Sequence, residues 1–181
     1  MLNQVKYYDG NIHPCYFFWK TDDEDGYMSN WYHSEFVMKD TVTKQDLCFN
    51  SSEQYFMWAK AKLFGDEETA QKIYESGSCR EQKDLGRQVK NFDQLVWNQN
   101  KYQIMVDAIY YKFVDIANIH LKESLVATGN AILAEASPYD KIWGIGVSTQ
   151  TTTYFQDVKN WKGENLLGKA LMEVRDKLKN R

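Results

Sequence analysis

The hydrophobic pattern of this chain changes period at Ser51. Before it, short apolar runs alternate with turn residues: Tyr16-Phe-Phe-Trp19, the acidic turn Asp22-Asp-Glu-Asp-Gly26, then Glu35-Phe-Val-Met38 and Asp46-Leu-Cys-Phe49 flanking the polar loop 40–45. Such runs read as short strands, the last two as a hairpin. After Ser51 the spacing is helical. Residues 52–64 are expected as one helix stopped at Gly65-Asp66, and residues 67–76 as another closed by Gly77. Residues 93–113 carry Leu95, Val96, Ile104, Met105, Ala108, Ile109 and Phe113 close to the 3.6-residue period. Residues 118–128 follow, ended by Gly129; Ile132–Ala136 reads as a strand; residues 164–179 place Leu166, Leu167, Ala170, Leu171, Val174 and Leu178 on one helical side. The only prolines are Pro14 and Pro138, so few positions forbid helix. Strands followed by a run of helices form an α+β pattern, not the alternation of a parallel βαβ sheet. The expectation is a mainly helical α+β single domain over residues 1–181, with a small antiparallel sheet.

Composition narrows the function classes. A net charge of −3 argues against a general nucleic-acid binder, which is usually basic, but leaves room for a local basic patch. Twenty-seven aromatic residues (six Trp, twelve Tyr, nine Phe) exceed what a plain core needs and suit a site that stacks on rings. Cys15, Cys48 and Cys79 are three and widely separated, a pattern of neither zinc site nor disulfide framework; free, mostly buried thiols are expected. His13, His33 and His120 are isolated, so no metal is expected. The first residues lack the apolar core of a signal peptide and no run approaches a membrane span, which points to a cytoplasmic protein without membrane attachment.

Chemistry concentrates in two segments. In Asn50-Ser-Ser-Glu-Gln-Tyr-Phe-Met-Trp-Ala-Lys60, Ser51 and Gln54 have capping-box spacing, which makes Ser51 the N-cap. Glu53 then falls at the second helical position, where the helix dipole favours negative charge. Lys60, seven residues on, shares its face among Tyr55, Phe56 and Trp58. A carboxylate and an amine on an aromatic-lined face suit acid–base or covalent chemistry; an exposed helix with unrelated charges has the same spacing. The second segment, Glu135-Ala-Ser-Pro-Tyr-Asp-Lys-Ile-Trp-Gly-Ile-Gly146, gathers Glu135, Asp140, Trp143 and two glycines. It lacks the third glycine and strand–helix context of a dinucleotide fingerprint, so the glycines are expected to permit close backbone approach. Ser29 and Asn30, in a turn, can hold sugar or phosphate, and Arg87 after Gly86 can pair with phosphate; a simple turn and a surface ion pair are the plainer readings.

Taken in order, these segments resemble the NADAR/YbiA-like N-glycosidase family from Tyr16 to Leu178. The resemblance is carried by Tyr27-Met-Ser-Asn-Trp-Tyr32, Ser52-Glu-Gln-Tyr-Phe-Met57 with Lys60, Leu85-Gly-Arg-Gln-Val89, Trp97, Leu125-Val-Ala-Thr-Gly129, the 135–146 segment and Gly163-Glu-Asn-Leu-Leu-Gly168. It implies metal-independent, cofactor-free hydrolysis of an N-glycosidic bond to ribose. The implied substrate is ADP-ribosylated guanine in DNA or RNA, from which release of ADP-ribose would counter an ADP-ribosyltransferase toxin if the chain has such a counterpart, or a ribosylaminopyrimidine phosphate of riboflavin synthesis. Glu53 matches the family's catalytic glutamate. Ser29, Asn30, Lys60, Gly86, Arg87, Trp97, Asp140 and Trp143 match positions lining its ribose-phosphate site. Within that reading Asp140 orients ribose or protonates the leaving nitrogen, and Lys60 assists or attacks C1′ to form a Schiff base. The polar stretch 148–160 and a loop at 77–84 depart from the family pattern and bear on substrate identity. The alternative is a non-catalytic module that binds ADP-ribose or a nucleotide.

Overall fold

The computed structural model describes residues 2–40, 42–150 and 154–179. Three residues of the distinctive 148–160 stretch, 151–153, lie outside the described part. The chain divides into two compact units, residues 1–29 with 123–181, and residues 30–122.

The second unit contains the helical run. Strands β3 (Phe36–Lys39) and β4 (Asp46–Phe49) pair antiparallel with Phe36 opposite Phe49, the expected hairpin. Helix α1 (Ser52–Leu63) follows directly, then α2 (Glu67–Glu75), α3 (Cys79–Gly86) and α4 (Gln94–Val114). Phe36, Met38, Phe49, Tyr55 and Ala108 form a buried cluster that seats the hairpin on α1 and α4. Phe49 and Tyr55 meet edge-on with centroids 5.2 Å apart, a favourable quadrupole geometry.

Helix α3 corrects the expected loop over 77–84. Ser78 caps it, accepting from the Glu81 N–H. Its buried residues are Gln82 and Gly86, so it packs through an amide and a bare backbone rather than an apolar stripe. Gly86 lets α3 approach α1 closely: a Cβ would stand 2.2 Å from Met57 Sδ of α1, so the Met57 side chain would have to shift. Gln54 of α1 joins the helices by donating to the carbonyls of Ile73, Tyr74 and Ser76 at 3.1, 2.9 and 3.1 Å.

The first unit contains β1 (Leu2–Lys6), β2 (Ile12–Phe18) and β5 (Ile132–Glu135). β1 was not expected; it runs antiparallel to β2, while β5 runs parallel on the other side, so this sheet is mixed. Helix α6 (Leu166–Lys179) buries Leu167, Ala170, Leu171, Val174 and Leu178 of the anticipated stripe, while Leu166 at its start is half-buried. Arg175 is buried and donates to Thr128 Oγ1 at 2.9 Å and the Ala131 carbonyl at 2.7 Å. Helix α5 (Ile119–Ala127) crosses the boundary between the units in sequence. No helix among the described residues is long and apolar enough to cross a membrane. Cys15 is buried, Cys79 half-buried and Cys48 exposed, all as free thiols, so only one of the three fits the expected burial closely.

Candidate active site

The start of α1 fixes the carboxylate. Ser51 is extended and accepts from the Gln54 N–H at 3.2 Å. Gln54 Oε1 in turn accepts from the Asn50 N–H at 2.7 Å, one residue earlier than an ordinary capping box closes. Glu53 therefore stands in the first turn, as expected, but it is buried, with 2% of its surface exposed. Its N–H donates to the Asn30 carbonyl at 2.9 Å, and Asn30 Nδ2 donates to its carboxylate. Asn30 thus binds the glutamate by both backbone and side chain. A buried carboxylate has given up water, and here the dipole of α1 and an amide donor stand in its place.

Lys60 lies seven residues along the same helix, roughly 10 Å of axial rise from Glu53. Its Nζ donates to the Gly86 carbonyl at 2.7 Å and sits 4.5 Å from the Phe92 ring centroid and 5.4 Å from that of Trp97. Burial pushes its pKa down. The structure thus brings Lys60, Gly86 and Trp97 together, with the amine bound to a helix-end carbonyl. Arg87 follows at the C-cap of α3 and is exposed, its Nη1 2.7 Å from Asp84 Oδ1. That contact is the plain surface pair considered above.

Asp140 and Trp143 belong to the first unit. Asp140 Oδ1 accepts from the N–H groups of Ile142 and Trp143 at 2.8 and 2.7 Å, and the Asp140 N–H donates to Ser137 Oγ at 3.2 Å. One of its oxygens therefore shapes the turn that presents the half-buried Trp143. The close approach expected of the glycines is present: a Cβ at Gly144 would lie 3.0 Å from the carbonyl oxygens of Asp140 and Glu135, and one at Gly163 would lie 2.2 Å from the Gly144 carbonyl oxygen. Ser29 is buried, and its N–H closes a 3-10 turn on the Gly26 carbonyl at 2.9 Å.

One residue escaped the sequence reading. Lys112 of α4 is 1% exposed, with its Nζ 5.2 Å from the ring centroids of Tyr32 and Phe113. Burial lowers its pKa to about 7, and Cys79 partly offsets the shift. The Cys79 thiol is raised chiefly by burial, and feels both Glu53 and Lys112. Its Sγ is 3.3 Å from Ser51 Oγ and 3.7 Å from the Trp31 carbonyl. A buried amine therefore belongs to the neighbourhood of Glu53. The signal was present: Lys112 continues the buried stripe Met105, Ala108, Ile109 at helical spacing.

A family model for the NADAR domain matches residues 17–179. The chain belongs to the NADAR family. This NADAR chain is 40% identical over 149 residues to N-glycosidase R617 of Acanthamoeba polyphaga mimivirus, covering 82% of this chain and 85% of that one. It is 27% identical to the riboflavin biosynthesis protein VVA0006 of Vibrio vulnificus, over 91% of this chain but 38% of that longer protein. The NADAR fold is also that of the NMR structure of YbiA from E. coli, with a TM-score of 0.70 at 28% identity, covering 92% of this chain and 85% of that one. The α+β fold and the glycosidase family anticipated from the motifs are therefore those of this protein.

Proposed function

We propose that this N-glycosidase of the NADAR family hydrolyses the bond between ribose and guanine in ADP-ribosylated guanine, with Glu53 as its essential carboxylate. The observation that carries the reading is the buried Glu53 at the N-terminus of α1, held by Asn30 on both main chain and side chain. Breaking an N-glycosidic bond develops positive charge on the ribose C1–ring-oxygen unit. A pre-positioned carboxylate stabilises that charge or takes a proton from the attacking water. The water oxygen bonds to C1, the electron pair of the C1–N bond leaves with the base, and the base nitrogen gains a proton. Trp97 offers an aromatic face within the same unit as Glu53, and Arg87 an exposed guanidinium for phosphate.

The Schiff-base route assigned to Lys60 requires its amine to leave the Gly86 carbonyl and lose its proton; the lowered pKa favours the second step and the 2.7 Å hydrogen bond opposes the first. Direct water attack assisted by Glu53 is the simpler course. Likeness to a riboflavin biosynthesis protein supports a second substrate reading, a ribosylaminopyrimidine phosphate.

The test is release of ADP-ribose from an oligonucleotide carrying ADP-ribosylguanine. Wild type is expected to release it and Glu53→Gln, which keeps the shape, to lose at least about 100-fold, the scale on which single charge-stabilising groups act. Near wild-type turnover by the variant ends the Glu53 assignment. No release by either protein moves the substrate to ribosylaminopyrimidine phosphates. Binding of ADP-ribose with no turnover of either substrate selects the non-catalytic module.

A further inference from the structure

Helix α3 carries a feature of which the proposed reaction uses only Arg87. Arg80, Lys83, Asp84 and Arg87 line a cavity of about 240 Å3 with the indole of Trp31. The positions follow the one-face spacing of a helix, and from Arg80 to Arg87 they span roughly 10 Å of axial rise. Three cations face one carboxylate, in a chain whose net charge is −3, so this is a local concentration of positive charge against the general trend. Lys83 Nζ lies 5.5 Å from the Trp31 ring centroid. Arg87 spends one donor on Asp84 at 2.7 Å, leaving a guanidinium fork that exceeds what that pair uses.

The pocket is linked to the reaction centre by the chain itself. Trp31 directly follows Asn30, which holds Glu53. The Trp31 carbonyl is 3.7 Å from the thiol of Cys79, the residue that opens α3. Both walls of the pocket are therefore anchored to the segment that positions the carboxylate.

We propose that this pocket takes the nucleoside diphosphate part of the substrate, the base against Trp31 and the two phosphates along Arg80, Lys83 and Arg87. The inference rests on the N-glycosidase reading above and selects among its substrates. One phosphate, gripped by one guanidinium, cannot engage both ends of a row roughly 10 Å long. A diphosphate joined through ribose to an aromatic base needs several cations in line and a flat apolar plate at one end, which is this set of residues. Lys83 has the reach to leave the indole for a phosphate oxygen when a base arrives. A nucleic-acid strand would call for a longer basic track than one helix face provides.

Calorimetric titration of the whole chain with ADP, ribose 5-phosphate and an unmodified single-stranded DNA 12-mer tests this directly. ADP is expected to bind at least tenfold tighter than ribose 5-phosphate. Trp31→Ala should weaken ADP about tenfold and leave ribose 5-phosphate unchanged, because only the base uses the plate. Arg80→Gln with Lys83→Gln should weaken ADP at least tenfold. Circular dichroism checks that α3 persists, and the conservative Arg80→Lys should restore most of the binding lost by Arg80→Gln. Equal affinity for ADP and ribose 5-phosphate, or no effect of the variants on ADP, overturns the proposal. Tighter binding of the 12-mer than of ADP, lost in the same variants, also overturns it and assigns the cations to a strand. The outcome separates from that of the reaction: ADP binding with the predicted variant pattern supports the pocket even if ADP-ribosylguanine is not cleaved. Cleavage with a KM untouched by Trp31→Ala and the double variant removes the pocket and leaves the reaction standing.

Discussion

Lys112 should make the stability of this protein depend on pH in a way that one substitution abolishes. Burial on α4 lowers its pKa from 10.5 to about 7. In the unfolded chain the amine returns to its ordinary value. Between pH 7 and 10.5 the unfolded state therefore binds more protons than the folded one, and stability rises with pH across that window. Below pH 7 both states hold the proton and the full penalty is present, about 5 kcal/mol for a fall from 10.5 to about 7 at about 1.4 kcal/mol per pH unit. Between pH 7 and 10 about 3 kcal/mol of that penalty should be relieved. Lys112→Met keeps the length of the side chain and removes the titration. Guanidinium unfolding at pH 7, 8.5 and 10 should show the variant's stability, relative to wild type, falling by about 3 kcal/mol over the range. Cys79 titrates nearby and is coupled to Lys112, so both proteins are best compared with Cys79→Ser in place. The phenols of Tyr27 and Tyr55, held above their usual range by burial, are common to both and cancel. A difference that stays constant from pH 7 to 10 would refute the reasoning, since a constant offset measures packing and not protonation.

Two further expectations concern how the site is held. Gly86→Ala forces a Cβ to within 2.2 Å of Met57 Sδ and should cost about 1–3 kcal/mol in chemical denaturation, with a clearly smaller cost in a Met57→Ala background. Asp140→Asn retains an oxygen able to accept from Ile142 and Trp143 and should keep the wild-type melting temperature, whereas Asp140→Ala should lose about 1 kcal/mol. If Asp140→Asn nevertheless loses turnover, the aspartate acts in the reaction through its charge; unchanged turnover confines it to shaping the turn.

What could be read from the residues alone follows the range of the interactions involved. The start of α1 was legible because Ser51, Glu53 and Gln54 act within one helical turn. The β3–β4 hairpin was legible for the same reason, its two runs being joined by a short polar loop. Strand β1 was not, because only Val5 of its five residues is buried and its pairing with β2 is what makes it a strand. Helix α3 escaped because Gln82 and Gly86 are its buried residues, and neither contributes to an apolar period. Yet Ser78 and Glu81 carry the same cap spacing that marked α1. Glu53 was placed in the first turn of α1 from the sequence, but its hold by Asn30 spans 23 residues and needed the fold. Lys112 lay on a predicted buried stripe and was passed over because a lysine there contradicts ordinary burial preferences. Such contradictions between residue type and pattern are where function is best sought.

The two ends of α3 are fastened differently from its outer face. Cys79 at its start faces Ser51 and the Trp31 carbonyl, and the Gly86 carbonyl at its end receives the amine of Lys60. Arg80, Lys83 and Arg87 instead line the outer cavity, where Lys83 lies over the Trp31 ring and Arg87 pairs with Asp84. The helix is thus a fixed mount with exchangeable fittings. On the proposed reading, mutation would alter which phosphorylated molecule is admitted, one outward side chain at a time, while Glu53 stays in register. A lineage built on such a frame would change its diet without rebuilding its chemistry.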